Sequence, residues 1–392
     1  MESFWQINMG SDMHPYAELE RQDDLKDEIR EVISSFGLSG YDCVRRYGNG
    51  HINDTYLLED TERGHGTKGQ VPRYILQRIN RSVFIHPEEV AENVWKITQY
   101  LQQAVRKGGG DPSREALTVL PEKDGKPYVR DRSGEVWRLS LFISGSMSYE
   151  IADTPELFAA SGEAFGHFQY LLRDFDSSGL VETIPDFHNT LKRYERFEKA
   201  VKNDPFGRAS LISSEISFAQ KRYETCTHLS NLMYSGVLPL RVTHNDTKLN
   251  NVLFDENSRT ALCVIDLDTV MPGLIAYDFG DAIRFGANHC AEDETDLDKV
   301  NYDLHLFEVY SQGLLEAAGD AISKDEVLSL PWGARIMTYE NGIRFLTDFL
   351  EGDHYFKTTR EHQNLDRART QFKLLTEMEK QMDEMLRIVQ LS

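Results

Sequence analysis

The residue types able to do chemistry are concentrated between Val242 and Thr269. The stretch reads Val-Thr-His-Asn-Asp-Thr-Lys-Leu-Asn-Asn-Val-Leu-Phe, then a polar turn, then Ala-Leu-Cys-Val-Ile-Asp-Leu-Asp-Thr. Asp246 can accept the proton of an attacking hydroxyl. Lys248, two residues on, can offset the charge of oxygens in transfer, and Asn251 and Asp266 are oxygen ligands that can share a hard cation such as Mg²⁺. Together these types point to phosphoryl transfer, which asks mainly for alignment and charge neutralisation. The spacing agrees: apolar runs at Val252–Phe254 and Ala261–Ile265 flank the turn formers Asp255, Glu256, Asn257 and Ser258, which predicts a hairpin. Paired strands lie about 5 Å apart, so Asn251 entering and Asp266 leaving are expected side by side. His244 reads as a residue that orients the loop, and Asp268 as a group behind the first ligands or on a second metal. A hairpin ended by polar residues is ordinarily a surface hairpin, and a lone Asp-x-Asp would be read as one. Here four spaced polar positions and two apolar strands coincide.

Elements on both sides must hold these groups. Residues Met1 to about Tyr16 read as a loosely held tail, and Glu18–Phe36 has helical apolar spacing (Leu25, Ile29, Ile33) ending at Gly37. Val44–Leu58 reads as strand, glycine-bearing turn, strand, with Gly50, His51 and Asn53 in or beside a turn whose N–H groups could lie over phosphates. Gly-Asn-Gly is equally an ordinary hairpin tip. A third strand, Tyr74–Ile79, carries no lysine; Gln77 takes its place by register, with Arg78 the alternative. Pro87 opens a helix expected over Glu88–Leu101, on which Glu92, with Glu89 close behind, would face the third strand. Arg106–Arg114 reads as a mobile linker, followed by turns at Asp124-Gly125 and Ser133-Gly134. Trp137–Gly145 then looks like the connection to a larger helical part, and its backbone, with Phe142 and Ser144, is placed to meet an adenine edge.

Helices are expected over Thr154–Arg173, Thr190–Lys202, Ile212–Tyr234, from Pro331-Trp332, and over Arg360–Val389. His167 lies among apolar residues and reads as a core or edge histidine. Asp278, within Asp-Phe-Gly, is not on the strand paired with Asn251, and its expected task is to hold the loop by hydrogen bonds. Tyr339–Phe356 mixes polar and aromatic groups densely, a texture that suits a sugar site, although a helix with one solvated face has the same pattern.

The chain has 392 residues, 40% of them hydrophobic, enough for two lobes with cores. Its net charge of -21, from 64 acidic and 43 basic residues, disfavours nucleic acid and anionic membrane as partners. The four cysteines are far apart with no metal-ligand spacing, as in a reduced cytoplasmic protein. No secretory signal and no membrane span is expected.

His244–Asn251 together with Ile265-Asp266-Leu267-Asp268 resembles the aminoglycoside phosphotransferase and choline kinase superfamily. The longer string Arg241–Asn251, continued by Ile265–Gly273, looks closer still to the N-acetylhexosamine 1-kinases, as do Gly48–Asn53 and Tyr74–Asn80, so the likeness runs from about Tyr41 to Phe356. The resemblance implies an α+β, protein-kinase-like bilobal fold: residues 1–40 a tail and helix, 41–143 a small antiparallel β lobe that binds nucleotide, and 144–392 a larger, mainly helical lobe for catalysis and substrate. It implies ATP and Mg²⁺ as cofactors, Asp246 as the base, Asn251 and Asp266 as metal ligands, and Arg344, Asp348 and Tyr355 in a sugar pocket. The missing third-strand lysine departs from the wider superfamily. Competing expectations are a kinase for homoserine, choline or an aminoglycoside, and a non-catalytic nucleotide binder. A sulfatase is disfavoured because no Cys or Ser stands in a Cys/Ser-x-Pro-x-Arg frame.

Overall fold

The computed structural model describes residues 28–38, 41–48, 52–60 and 72–391. The expected tail, the first part of the helix expected from Glu18, the turn residues Gly50 and His51, and the loop 61–71 lie outside the described residues. The chain divides into two compact units, residues 1–81 with 119–142, and residues 82–118 with 143–392.

In the first unit, a helix over residues 28–35 (α1) ends at Gly37, whose φ of 76° is the left-handed conformation glycine allows. Strands β1 (Tyr41–Arg46), β2 (Asp54–Asp60), β3 (Arg73–Arg78), β4 (Val119–Leu120), β5 (Val129–Arg130) and β6 (Val136–Leu141) form one sheet in the order β1-β2-β3-β6-β4, with β5 also on β6. Every pairing is antiparallel. Side chains alternate between faces: Tyr56, Leu58, Tyr74, Leu76, Trp137 and Leu139 pack with Ile29 and Ile33 of α1 into the core. The opposite face carries, in register across three strands, Thr55, Gln77 and Arg138.

The second unit begins with α2 (Pro87–Gly108), which runs past the expected Leu101 and is closed by Gly109 at φ 83°. Much of the expected mobile linker is therefore helix: the apolar spacing continues through Leu101 and Val105, both buried, and a short helix α3 (Pro112–Glu115) follows, capped by Asp111. Beyond a short strand β7 (Ser146–Met147) come α4 (Pro155–Leu171), α5 (Thr190–Asn203), α6 (Ser213–Gln220) and α7 (His228–Tyr234). The one helix expected over Ile212–Tyr234 is thus broken by a 3₁₀ turn at Tyr223–Thr227. Strand β8 (Arg241–Thr243) pairs with β11 (Met271–Gly273), and between them β9 (Val252–Asp255) pairs with β10 (Ala261–Val264). Helices α8 (Ile275–Gly286), α9 (Leu304–Ala318), α10 (Lys324–Glu351), α11 (Gln363–Lys380) and α12 (Met382–Leu391) complete the unit.

Pro331 does not start a helix; it lies inside α10, whose start is set by a capping box between Ser323 and Glu326. The last expected helix is two, α11 and α12, separated at Gln381. Helix α10 is the axis of the unit. It packs against α8, α11 and α5, and Tyr339, Ile343, Leu346, Phe349 and Leu350 are buried among residues of α5, α6 and α11.

Candidate active site

The hairpin delivers the expected residues to one place. Val264 pairs with Val252, and the ladder extends one step further, the Ile265 N–H donating to the Asn251 carbonyl at 2.9 Å. Asp266 follows at once, exposed and in the left-handed region at φ 58°. Asp268 is buried, 3% exposed.

Asp246 is held by its neighbours on the loop. Asn251 Nδ2 donates to the Asp246 carbonyl at 2.8 Å and to Oδ2 of its carboxylate at 3.1 Å. Lys248 Nζ lies 2.7 Å from the other oxygen. Burial by itself pulls the Lys248 ammonium down, and the Asp246 and Asp281 carboxylates outweigh it and hold the ammonium above its ordinary value.

The loop itself is fixed from below. The Asp278 carboxylate accepts the His244 N–H at 2.8 Å and the Asn245 N–H at 2.7 Å, and its carbonyl accepts the Thr247 hydroxyl. Burial pushes this carboxyl up to about 6, against the His244 and Asn245 N–H donors that favour its ionised form. Asn245 adopts φ 64°, a conformation its amide supports by donating to the Thr243 and Thr269 carbonyls. His244 is fully buried, edge-on to Phe165 and Phe168. Its Nε2 lies 2.8 Å from the Ile265 carbonyl, and the Asp246 N–H points at Nδ1 from 3.3 Å. A carbonyl only accepts and an N–H only donates, so the ring is neutral with its hydrogen on Nε2. His244 therefore ties the loop to the hairpin with both nitrogens occupied.

Sequence reasoning passed over Asp281 and Arg284. Both are buried on α8 and paired at 2.9 Å, and Arg284 also reaches Glu292 at 3.3 Å. Arg284 and Lys248 together outweigh the desolvation of Asp281 and hold its carboxyl below the ordinary value. The available signal was their i, i+3 spacing beside Asp278, masked by the Asp-Phe-Gly letters.

On the first unit, Gln77 accepts from Arg138 at 2.6 Å and donates to Thr55 at 3.3 Å. Arg78 lies on the opposite face, paired with Asp54 and over the Trp137 ring. Alternation thus separates the two candidates for the lysine's place, and the cation bonded to Gln77 is Arg138, which the sequence reading did not single out. Asn53 accepts the Asn80 N–H at 2.9 Å. The Phe142 N–H continues the β3–β6 ladder to the Arg73 carbonyl at 3.0 Å. On the second unit, the Ser144 carbonyl accepts from Arg114 at 3.0 Å. Glu92 is exposed on α2, and the neighbouring polar group, Asn93, is buried and bonded to the Val181 and Val270 carbonyls.

On α10, Glu340, Arg344 and Asp348 fall four apart and share one face. The Asp348 carboxylate accepts the N–H groups of His354, Tyr355 and Phe356 and the Asn364 amide. It fixes the turn that carries Tyr355, which is 61% exposed. The Arg344 guanidinium stands over the Tyr355 and Phe356 rings at 5.9 and 5.4 Å.

Residues 44–307 match the phosphotransferase enzyme family, APH. The chain belongs to that family. Among solved structures, this phosphotransferase is similar to an aminoglycoside phosphotransferase from Alicyclobacillus acidocaldarius, 16% identical at TM-score 0.60 over 91% of this chain and 96% of the other. It is also similar to a spectinomycin phosphotransferase solved with ADP and spectinomycin, 12% identical at TM-score 0.54 over 92% and 98%. Those likenesses establish the kinase-like α+β fold. A Haloarcula marismortui protein named proteasome subunit alpha 2 is 26% identical over 204 residues, 50% of this chain and 75% of its own length. Identity at that level over half the chain transfers no function. Family and fold together make the protein a small-molecule phosphotransferase.

Proposed function

We propose that this phosphotransferase transfers the γ-phosphate of ATP to the anomeric hydroxyl of an N-acetylhexosamine. The observation that carries the reading is Asp246, with one carboxylate oxygen on Asn251 Nδ2 and the other on Lys248 Nζ. In this role Asp246 accepts the proton of the attacking hydroxyl, and the Asn251 amide fixes the direction of its lone pairs. Lys248 pairs with Asp246 before substrate arrives and then turns toward the transferring oxygens. Asp278 and His244 hold the loop backbone so that neither group has to be ordered during the reaction.

The residues present fit a Mg²⁺ ion. Asn251 commits its Nδ2 to Asp246, which leaves its side-chain carbonyl oxygen to accept, and Asp266 is an exposed carboxylate at the adjacent turn. An amide oxygen and a carboxylate are the hard donors this cation takes, with waters and phosphate oxygens completing its shell. When bound, the ion neutralises charge on the phosphates. Buried Asp268 is proposed to act behind these ligands or on a second metal. Gln77 and Arg138 are proposed to take the place of the third-strand lysine, the cation being Arg138.

Support for the acceptor class comes from the resemblance and from Arg344 and Tyr355, with Asp348 positioning Tyr355. An arginine at the acceptor site also disfavours choline and aminoglycosides, whose positive charge it would repel. Asp246→Asn is expected to lower kcat by about 10²–10⁴-fold with an unchanged circular dichroism spectrum. Near-normal turnover would remove Asp246 from the role of base.

A further inference from the structure

The face of α10 that carries Arg344 meets α5 at a cluster of guanidiniums. Arg193 and Arg196 of α5, with Arg344, Thr347, Asp348, Tyr355 and Phe356, line a narrow pocket with space of about 20 Å³, room for one water-sized group. Three guanidiniums in one small pocket repel each other, so their counter-charges decide what the pocket is for. Arg196 is paired with Glu351 at 2.5 Å. Arg193 and Arg344 have no carboxylate within ion-pair distance among the described residues; Arg193 donates to the Phe187 carbonyl at 3.1 Å, and Arg344 reaches the Asn341 amide oxygen at 3.4 Å. In both, Nε is buried without a hydrogen-bond acceptor. The nearby carboxylates are already engaged: Glu340 by the Thr190 hydroxyl at 2.6 Å and His188 at 3.3 Å, Asp348 by backbone N–H groups and Asn364. Burial, and then Arg344, push the Arg193 guanidinium below its usual value. Two buried donors and an excess of positive charge are what an anion would satisfy, and a guanidinium matches a planar or tetrahedral oxyanion with two parallel hydrogen bonds.

We propose that Arg193 and Arg344 form a binding site for a small oxyanion, a carboxylate, sulfate or phosphate, either borne by the acceptor or free in solution. The enclosed space takes one oxygen of such a group and not a whole molecule, so an acceptor using it lies across the mouth, over Tyr355, with its charged substituent against the guanidiniums. Only this placement rests on the acceptor reading above; binding of the anion does not.

The test is isothermal titration of the full chain carrying Asp246→Asn, without nucleotide, at matched ionic strength. The probes are N-acetylglucosamine and its 6-sulfate, glucose and glucuronate, and inorganic sulfate. At least one anionic probe is expected to bind about tenfold or more tightly than its neutral counterpart. Arg193→Gln and Arg344→Gln are each expected to abolish that difference, and Arg196→Gln, whose guanidinium is already paired, to preserve it. A charged sugar binding more tightly than inorganic sulfate assigns the anion to the acceptor; equal binding assigns it to a free anion. If a Gln variant unfolds, Arg193→Lys, which keeps the charge and loses the two-pronged donor, is expected to weaken the anion severalfold. Equal affinity for charged and neutral probes, or a preference that survives both Gln variants, would overturn the proposal. Because binding is read without turnover, a failed kinase assay leaves this result standing, and the converse also holds.

Discussion

The most consequential single residue outside the reacting groups is Asp278. Its carboxylate holds two successive N–H groups of the loop while fully desolvated, and burial raises it to about 6. A carboxyl raised in the fold above its unfolded value of 3.8 contributes stability that is fully present below that value and lost as pH rises through about 6. Asp278→Asn removes the titration and keeps one acceptor oxygen. Urea denaturation of both proteins should therefore show the wild-type advantage over the variant shrinking by about 2 kcal/mol between pH 4 and 7; a constant difference would mean that Asp278 does not titrate there. At this scale the sequence was informative because position along the hairpin separates Asp266 from Asp278. It was uninformative for Arg193, whose neighbour Arg344 lies across a helix contact that no local spacing reports, and the i, i+3 spacing of Asp281 and Arg284 was masked by the Asp-Phe-Gly letters.

At the scale of elements, α8 carries Asp278, Asp281 and Arg284, and it approaches α10 through glycines. A Cβ on Gly333 would lie 1.9 Å from the Ala276 carbonyl oxygen, and one on Gly280 would lie 2.2 Å from the Gly333 carbonyl oxygen. Neither obstacle is a flexible side chain, so one helix must move. Gly333→Ala is expected to cost about 1–3 kcal/mol of stability, read by urea denaturation, and to lower kcat more than it raises KM, because displaced α8 carries the anchor of the loop. An unchanged denaturation midpoint would show that the helices can separate freely. Pro331 misled the sequence reading for a related reason. Proline is common at a helix start, but the capping box of Ser323 and Glu326 sets the start, and packing holds the helix through the proline. The extension of α2 through Val105 was similarly hidden behind the glycines and basic residues of its C-terminal end.

At the scale of the molecule, a chain of net charge -21 is proposed to handle a nucleotide that is itself anionic. The positive charge it offers is local: Lys248 beside Asp246, Arg138 beside Gln77, and the Arg193–Arg344 pair. The fold class was legible because the hairpin motif, a β-rich first part and helical remainder agree with one another, and family and fold both follow it. Which face Arg78 or Arg138 occupies was not, since a single residue of register reverses it. The acceptor was legible only by resemblance, because substrate choice rests on a few side chains grafted onto a shared fold. Coupled ADP release therefore decides most directly, with purified protein, ATP and Mg²⁺ against N-acetylglucosamine, N-acetylgalactosamine, glucose, galactose, homoserine and choline. Turnover is expected with the N-acetylated sugars and at least about a hundredfold less with the others, a gap of about 2.7 kcal/mol in transition-state binding; preferred turnover of choline or homoserine would contradict the assignment.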